Sequence, residues 1–358
     1  MNRLRVRGLI ARAVLASIAT IAALLAAEGL TRVLIGIHVV RPSLRGASVP
    51  PLAWSPRLVR SDDPELFVEW ARDDPLINAS GFRGPDVAQQ KPAGTSRLLI
   101  LGDSVAFGLG VPYEDTLAAY LAEMLNAGGH WEVLDLAVNG YGTPEEVALL
   151  RKKGLAFSPD VVLLVYVVND PVPPQLLTAL FAELAERDQQ LLPRLARHSE
   201  LAGLLLDQLR LREQGGHARV TYERAYEYAE WWNRVPTALA ALAEISRTNH
   251  VPVVVALFPL LYDLDRYPFT AYHGKVRAVL EHDGLPYLDL AEVLPTRDAT
   301  AYRIHPLDDT HPNARGHREA AAAIYRFLVE RGLAMPAPGS DAGPPDGRHR
   351  DHDPDPSQ

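Results

Sequence analysis

The sequence predicts an α/β fold with one parallel sheet covered by helices on both faces. Its apolar runs end abruptly at a glycine, an asparagine or a proline, which is typical of buried parallel strands. Segments with apolar residues at helical spacing lie between these runs, and strands that alternate with helices indicate a single parallel sheet. No repeat of fixed period is visible in the 358 residues, which argues against a solenoid or a propeller.

The predicted elements follow one another along the chain. The five strand candidates are residues 97–102, 131–136, 161–168, 251–258 and 286–290. The third is rich in β-branched residues, as expected of a central parallel strand. Apolar residues at helical spacing predict helices at 114–126 and 315–332, and the second of these is expected to close the fold on the sheet.

Composition bounds the class of protein. Hydrophobic residues make up 47% of the chain and charged residues 22%, so there is enough apolar material for a core. The net charge of -8 argues against a nucleic-acid partner, because phosphate binding needs a basic face. The absence of cysteine excludes disulfides, thiolate metal ligands and a cysteine nucleophile.

Residues 1–35 are predicted to form a single transmembrane anchor. Arginines precede an apolar run without charge, Ala13 to Ala27, and the stretch from Gly8 to Ala27 is long enough to cross a bilayer as a helix. The positive flank is expected to stay inside, which puts the following domain on the periplasmic or extracellular side. A cleaved signal peptide is the alternative, with Ala26 or Ala27 before the cleavage site.

Three further segments are predicted after the anchor. Residues 36–96 are rich in proline and charge and are expected to form a stalk that leads into the domain. The domain is expected at 97–333, with a helical insertion at 171–250 that is longer than a single crossover requires. Residues 334–358 lack periodicity and are expected to be disordered.

Ser104 is the candidate nucleophile. Leu98 to Leu101 followed by Gly102 and Asp103 indicate a buried strand that stops at a tight turn opening a helix. Ligands of open α/β sheets bind at the carboxyl ends of the strands, and a helix N-terminus there offers unpaired N–H groups to an oxyanion. The structural alternative is that Ser104 only caps the helix and Asp103 only shapes the turn.

A candidate base lies near the other end of the chain. A serine hydroxyl needs a base to accept its proton, and His311 is preceded three residues earlier by Asp308, which could fix the tautomer of the imidazole. Asp309 competes with Asp308 for that role. Asn169, at the end of the third strand, shares the edge with Ser104 and is available to donate a hydrogen bond into a site there.

These segments resemble a known family. The four blocks that carry the resemblance are Gly102-Asp103-Ser104, Gly140, Asn169-Asp170 and Asp308 to His311, in that order. They are similar to the blocks of the SGNH/GDSL hydrolases. The stretch Asn78-x-x-Gly81-Phe82-Arg83 is similar to one seen in membrane-anchored members, and the resemblance covers about Asn78 to Leu333. It implies a flavodoxin-like three-layer α/β/α sandwich that hydrolyses ester bonds.

The resemblance also implies a role for each matched residue. Ser104 matches the nucleophile and His311 the general base, with Asp308 orienting that base. The backbone N–H groups of Ser104 and Gly140 and the side-chain amide of Asn169 match the oxyanion hole. The expected substrate is an acyl or acetyl ester of a lipid or a cell-envelope glycan.

Other functions stay open at this point. The same groups could pass the acyl group to a hydroxyl of an envelope polysaccharide, or a noncatalytic protein could keep the fold to bind a glycan or assemble with partners. No metal is predicted, because His305, His311 and His317 recur at six-residue intervals that do not share a helix face. No cofactor is predicted either, because the glycines after the first strand do not match the dinucleotide-binding fingerprint.

Overall fold

The structure is a computed structural model of the chain. The residues that it describes are 3–37, 56–176, 191–196, 198–206, 222–305 and 308–335. Residues 38–55 of the predicted stalk, 177–190 and 207–221 of the predicted insertion, and 336–358 of the predicted disordered tail lie outside the described residues.

A five-stranded parallel sheet forms the centre of the domain. The described residues contain these five strands and two more: β1 (Leu58–Arg60), β2 (Val68–Trp70), β3 (Ser96–Gly102), β4 (Trp131–Asp135), β5 (Val161–Val167), β6 (Val253–Phe258) and β7 (Tyr287–Asp289). β1 and β2 form an antiparallel pair, and the other five are parallel in the order β4-β3-β5-β6-β7. Counted from β3 this is the flavodoxin-like order. The predicted fold class is therefore confirmed.

The five predicted strands agree with the observed ones to within one residue at each end, except that β6 begins at Val253 rather than at 251. Pro252 has no N–H to donate to the ladder, although its carbonyl accepts a hydrogen bond from the N–H of Val162 at 3.0 Å. Every residue of β5 is buried, as its run of β-branched and leucine side chains predicts for the strand at the middle of the sheet.

Helices cover both faces of this sheet. The helices among the described residues are α1 (Arg3–Gly36), α2 (Ser104–Phe107), α3 (Leu117–Asn126), α4 (Thr143–Lys152), α5 (Leu191–Ala196), α6 (Ala229–Trp232), α7 (Arg234–Asn249), α8 (Thr270–Asp283), α9 (Leu290–Val293) and α10 (Ala314–Glu330). Residues 200–206 and 222–227 are also helical, and 3-10 turns occur at Tyr113–Asp115, Gly154–Phe157 and Ala299–Tyr302. α3 packs against α10 in one layer, whereas α4 packs against α7 and α7 against α8 in the other.

Helix α1 contains a segment, Val14–Gly36, that is long and apolar enough to cross a membrane, and only 6% of its most apolar window is buried. This segment overlaps the stretch from Gly8 to Ala27 that the sequence singled out. Length and composition of this kind are shared by membrane anchors and signal sequences.

Residues 56–95, the described part of the predicted stalk, contribute side chains to the core. Trp70 is buried, its Nε1 donates to the carbonyl of Ala137 at 3.0 Å, and its ring centroid lies 4.7 Å from that of Phe107. The Tyr141 hydroxyl donates to the carbonyl of Val68 at 2.5 Å. The loops at the carboxyl edge of the sheet are therefore supported by this segment.

Candidate active site

The turn after β3 places Ser104 at the carboxyl edge of the sheet. β3 ends at Gly102, and α2 begins at Ser104 with Asp103 as its N-cap. The Oδ1 of Asp103 accepts a hydrogen bond from the Val105 N–H at 2.8 Å, which satisfies one of the free donors of the helix. A Cβ atom at Gly102 would overlap the Cβ of Ala106, so the turn requires a glycine at this position.

Arg83 holds the other end of α2. Its Nη1 donates to the carbonyls of Phe107 at 2.5 Å and Gly108 at 2.8 Å, and its Nη2 donates to the carbonyl of Val111 at 2.6 Å. The guanidinium carbon lies 4.5 Å from the centroid of the Phe107 ring, and the residue is buried. The sequence marked Arg83 only through the resemblance of its neighbourhood, and its role in fixing this turn was not predicted.

His311 reaches Ser104 from the segment before α10. Its Nε2 lies 2.9 Å from the Oγ of Ser104, and its Nδ1 lies 2.8 Å from the Oδ2 of Asp308. The other carboxylate oxygen of Asp308 accepts hydrogen bonds from the N–H groups of Thr310 and His311, both at 2.9 Å. Both oxygens of Asp308 are thus fixed, and one of them faces the imidazole.

The hydrogen bonds of Asp309 are made with groups other than the imidazole. Its carbonyl accepts a hydrogen bond from the N–H of Leu261 at 2.6 Å, and its side chain interacts with Thr310 and Tyr262. Of the two carboxylates that the sequence left as competitors, the structure brings only Asp308 to His311.

The electrostatics of this pair favour a charged imidazole. Burial opposes a charge on His311, but the carboxylate of Asp308 outweighs it and raises the histidine pKa above its usual value. Burial likewise opposes the charge on Asp308, but His311 and the two backbone N–H donors lower the pKa of that carboxyl. His311 is therefore a stronger base than a free histidine.

The residues expected in the oxyanion hole lie in the loops after β3 and after the two strands that flank it, β4 and β5. Gly140 follows β4 with a φ of 80°, in the left-handed region that favours glycine, and Asn169 follows β5. The Nδ2 of Asn169 donates to the Oδ2 of Asp103 at 2.8 Å, which ties its amide to the residue next to Ser104. Three adjacent parallel strands thus deliver Ser104, Gly140 and Asn169 to one edge of the sheet.

Buried carboxyl groups lie close to this edge. Burial raises the pKa values of Asp103, Glu146 and Asp170, and the charges of Asp170 and Asp103 raise that of Glu146 further. Asp170 accepts a hydrogen bond from the Thr143 hydroxyl at 2.7 Å, whereas neither oxygen of Glu146 has a partner among the described residues. Burial, the neighbouring carboxylates and the lack of a partner therefore all favour the uncharged form of Glu146.

Aromatic residues that follow position 221 of the insertion contact the same region. Tyr222 hydrogen-bonds to Thr310, one residue before His311. The hydroxyl of Tyr226 lies 2.6 Å from that of Tyr166 in β5, and its ring stacks at 4.5 Å on Tyr272 of α8. Residues 222–227 are therefore fixed against the site and against the sheet.

The comparison with sequence families decides the assignment. Residues 100–319 match the profile of the GDSL-like lipase/acylhydrolase family, which is more than half of the chain. The chain belongs to this family. Family membership makes it a hydrolase that acts on ester bonds, which confirms the predicted class of enzyme and the resemblance on which it was based.

Solved structures of other proteins are similar to part of this chain. The acetylxylan esterase Axe2 of Geobacillus stearothermophilus is 17% identical with a TM-score of 0.43, over 67% of this chain and 95% of that one. TesA is 16% identical with a TM-score of 0.41, over 66% and 99%. A GDSL-family lipolytic protein of Desulfitobacterium hafniense is 15% identical with a TM-score of 0.39, over 65% and 99%. The search of curated proteins gave no match.

The histidines that the sequence considered for a metal do not form a cluster. Across the described ranges, no group of three histidine, aspartate or glutamate residues is placed to hold a metal ion. His317 is fully buried, and burial lowers its pKa to about 3, so it is a neutral residue on the buried face of α10. His311 is engaged with Asp308 and Ser104.

Proposed function

We propose that this GDSL-like hydrolase is a serine esterase with Ser104 as nucleophile, His311 as general base and Asp308 as the carboxylate that orients the base. One observation carries the proposal: a continuous line of contacts runs from Asp308 Oδ2 through both imidazole nitrogens to the Oγ of Ser104, at 2.8 and 2.9 Å. Such a line is what activates a serine hydroxyl, whose own acidity is too low for attack.

The proposed reaction has two steps. Nε2 of His311 takes the hydroxyl proton as Ser104 Oγ attacks the ester carbonyl, and the resulting imidazolium then protonates the departing alkoxide. The acyl group remains on Ser104 until a water molecule, whose proton passes to Nε2 of His311, attacks the acyl carbon; the bond to Oγ then breaks, His311 returns the proton to Oγ, and the carboxylic acid leaves. Each of the three expected oxyanion donors, the N–H groups of Ser104 and Gly140 and the amide of Asn169, contributes about 3 kcal/mol of transition-state stabilisation.

We further propose that helix α1 tethers the enzyme to the outer face of a membrane. The Val14–Gly36 segment exposes its apolar side chains, and arginines precede it in the sequence. Positive flanks stay on the cytoplasmic side, so the domain faces the periplasm or the exterior. Acyl or acetyl esters of membrane lipids and envelope glycans are the substrates within reach of an enzyme held there.

Labelling with a fluorophosphonate tests the site. The full chain in detergent micelles is expected to react through Ser104, and the Ser104→Ala and His311→Ala variants are expected to lose labelling and ester hydrolysis without a change in melting temperature. His282→Ala is the matched control, because His282 is an exposed histidine on α8 whose Nδ1 contacts only the neighbouring Asp283. Normal turnover by Ser104→Ala would refute the proposal.

A further inference from the structure

Helix α1 is joined to the insertion by a specific polar contact. The carboxylate of Glu28 accepts hydrogen bonds from the Ser199 hydroxyl at 2.8 Å and from the N–H groups of Glu200 at 3.1 Å and Leu201 at 3.0 Å. These donors form the start of the helical segment 200–206, so Glu28 serves as an additional cap for it. The Nε of Arg32 donates to the same carboxylate at 2.7 Å.

Packing extends the contact along α1. Ala27, Glu28 and Thr31 are less exposed than the α1 residues before them, with Thr31 buried, and they lie on one face of the helix. On the insertion side, Gly203 and Leu206 are buried. The two segments are therefore docked along about one turn of α1, and Glu28 lies at the centre of that contact.

The contact between Glu28 and residues 199–201 sets the position of the insertion along the normal of the proposed membrane. The uncharged apolar run of α1 ends at Ala27, and Glu28 and Arg32 are the charged residues that follow it. Charged groups are costly in hydrocarbon, so in this proposal Gly8–Ala27 crosses the bilayer, and Glu28 and Arg32 within the longer apolar segment Val14–Gly36 mark its boundary. Residues 199–201, which contact Glu28 directly, are thereby held at the same boundary.

Exposed leucines lie on the insertion close to this boundary. The exposed fraction is 57% for Leu205 and 50% for Leu195 of α5, and Leu30 and Val33 of α1 are exposed as well. Exposed leucines on adjoining segments form the kind of apolar surface that enters a lipid interface. We propose that residues 191–196, residues 198–206 and the C-terminal part of α1 form a surface that inserts into the interfacial layer of a phospholipid bilayer.

Continuity with α1 identifies lipid as the partner. This inference rests on the proposed anchoring by α1, which already brings one half of the surface to the bilayer. Further along the insertion, Tyr222 hydrogen-bonds to Thr310 and Tyr226 lies on Tyr166, so the same insertion contacts both the boundary and the catalytic edge of the sheet. The surface holds that edge in a defined orientation towards the esters of the bilayer.

Single-cysteine labelling tests the surface directly, because the chain has no cysteine of its own. The full chain is reconstituted in phosphatidylcholine vesicles that contain a nitroxide-labelled lipid, and an environment-sensitive fluorophore is attached to Leu205→Cys or Leu195→Cys. We expect quenching by the nitroxide lipid at both positions, as at Leu15→Cys in α1. An Arg247→Cys label on the exposed end of α7 is the control and is expected to remain unquenched.

The outcomes separate this inference from the proposed function. Quenching at Leu15→Cys without quenching at Leu205→Cys would refute the surface and leave the anchor intact. No quenching at Leu15→Cys would refute the anchor and the surface together, whereas fluorophosphonate labelling of Ser104 would stand. Protection of the Leu205→Cys label from both nitroxide lipid and aqueous iodide would mean that a protein covers it, which also overturns the inference.

The polar contact has a test of its own. Combining Glu28→Gln with Ser199→Ala removes the ionised acceptor and the hydroxyl donor. We expect reduced quenching at Leu205→Cys and unchanged quenching at Leu15→Cys, since α1 still crosses the bilayer. Unchanged quenching at Leu205→Cys would show that the contact does not hold the insertion at the boundary.

Discussion

Nε2 of His311 lies 2.9 Å from Oγ of Ser104, although 207 residues separate the two in the chain. Ser104 is held by the turn between β3 and α2, and His311 by hydrogen bonds within the segment that precedes α10. The imidazole is fixed from its other side by Asp308 at 2.8 Å. The relationship between these residues therefore depends on two separate local structures, and each can be perturbed by itself.

The two neighbouring carboxylates should differ strongly in their contribution. Asp308→Asn is expected to lower kcat/KM by about 10³-fold or more, because an amide at this position no longer stabilises the imidazolium and favours the wrong tautomer. Asp309→Asn is the matched control. It is expected to lower kcat/KM by less than about tenfold, since the hydrogen bonds of Asp309 are made with groups other than the imidazole. Steady-state hydrolysis of a soluble ester measures both. Equal losses would contradict the assignment of Asp308.

The acid limb of the pH profile should report His311. Protonated His311 cannot accept the proton of Ser104, so kcat/KM is expected to fall as the pH decreases through the histidine pKa. That pKa is raised because Asp308 outweighs the effect of burial, so the limb should lie above the ordinary histidine value of about 6.5. In Asp308→Asn the anion is lost, and the limb should move to lower pH. A limb that stays in place would show that another group titrates.

Removing the amide of Asn169 should affect the transition state more than substrate binding. Asn169→Ala is expected to lower kcat by about 10²- to 10³-fold with little change in KM, because the oxyanion forms only after attack. Asn249→Ala, at the exposed end of α7, is the control. A variant with a lowered melting temperature and normal kcat would mean that Asn169 serves only to hold Asp103.

Arg83 should support both stability and turnover. Arg83→Met removes hydrogen bonds to three carbonyls, and the free energy of unfolding is expected to fall by about 3 kcal/mol. Arg83→Lys should recover only part of this, because one ammonium group does not reproduce the fork of the guanidinium. Urea denaturation measures the effect, with Arg60→Met on the exposed strand β1 as the control.

The same variants report on the position of Ser104. A displaced α2 is expected to slow fluorophosphonate labelling of the folded Arg83→Lys enzyme, since the serine no longer meets His311 at hydrogen-bond distance. Labelling at the unmodified rate in a destabilised variant would restrict Arg83 to a purely structural role.

The sequence was sufficient to predict the sheet and its edge. Uninterrupted apolar runs and the polar residues that follow them are local signals, and they located the strands that precede Ser104 and Asn169. Residue spacing alone did not decide whether Asp308 or Asp309 faces His311, because the answer depends on the direction in which the chain turns. That direction is coupled to a contact between the Asp309 carbonyl and Leu261, which follows β6.

The role of Arg83 could not be predicted from the sequence for a related reason. Its partners are backbone carbonyls 24 to 28 residues further along the chain. Because every residue has a backbone carbonyl, the sequence does not show which of them accept hydrogen bonds from Arg83. Likewise, the contact between Glu28 and Ser199 joins segments 171 residues apart that carry no complementary pattern. Contacts of this kind follow from tertiary packing alone.

The order of the strands in the chain also has a consequence for when the enzyme becomes active. Chains fold from the N-terminal side as they are synthesised, and distant parallel pairings form late. Ser104 emerges with β3, but β6, β7 and the turn that holds His311 follow much later. During synthesis the nascent chain thus carries Ser104 without the proposed base His311, and ester cleavage is expected to begin only when residues 308–335 have folded onto the finished sheet.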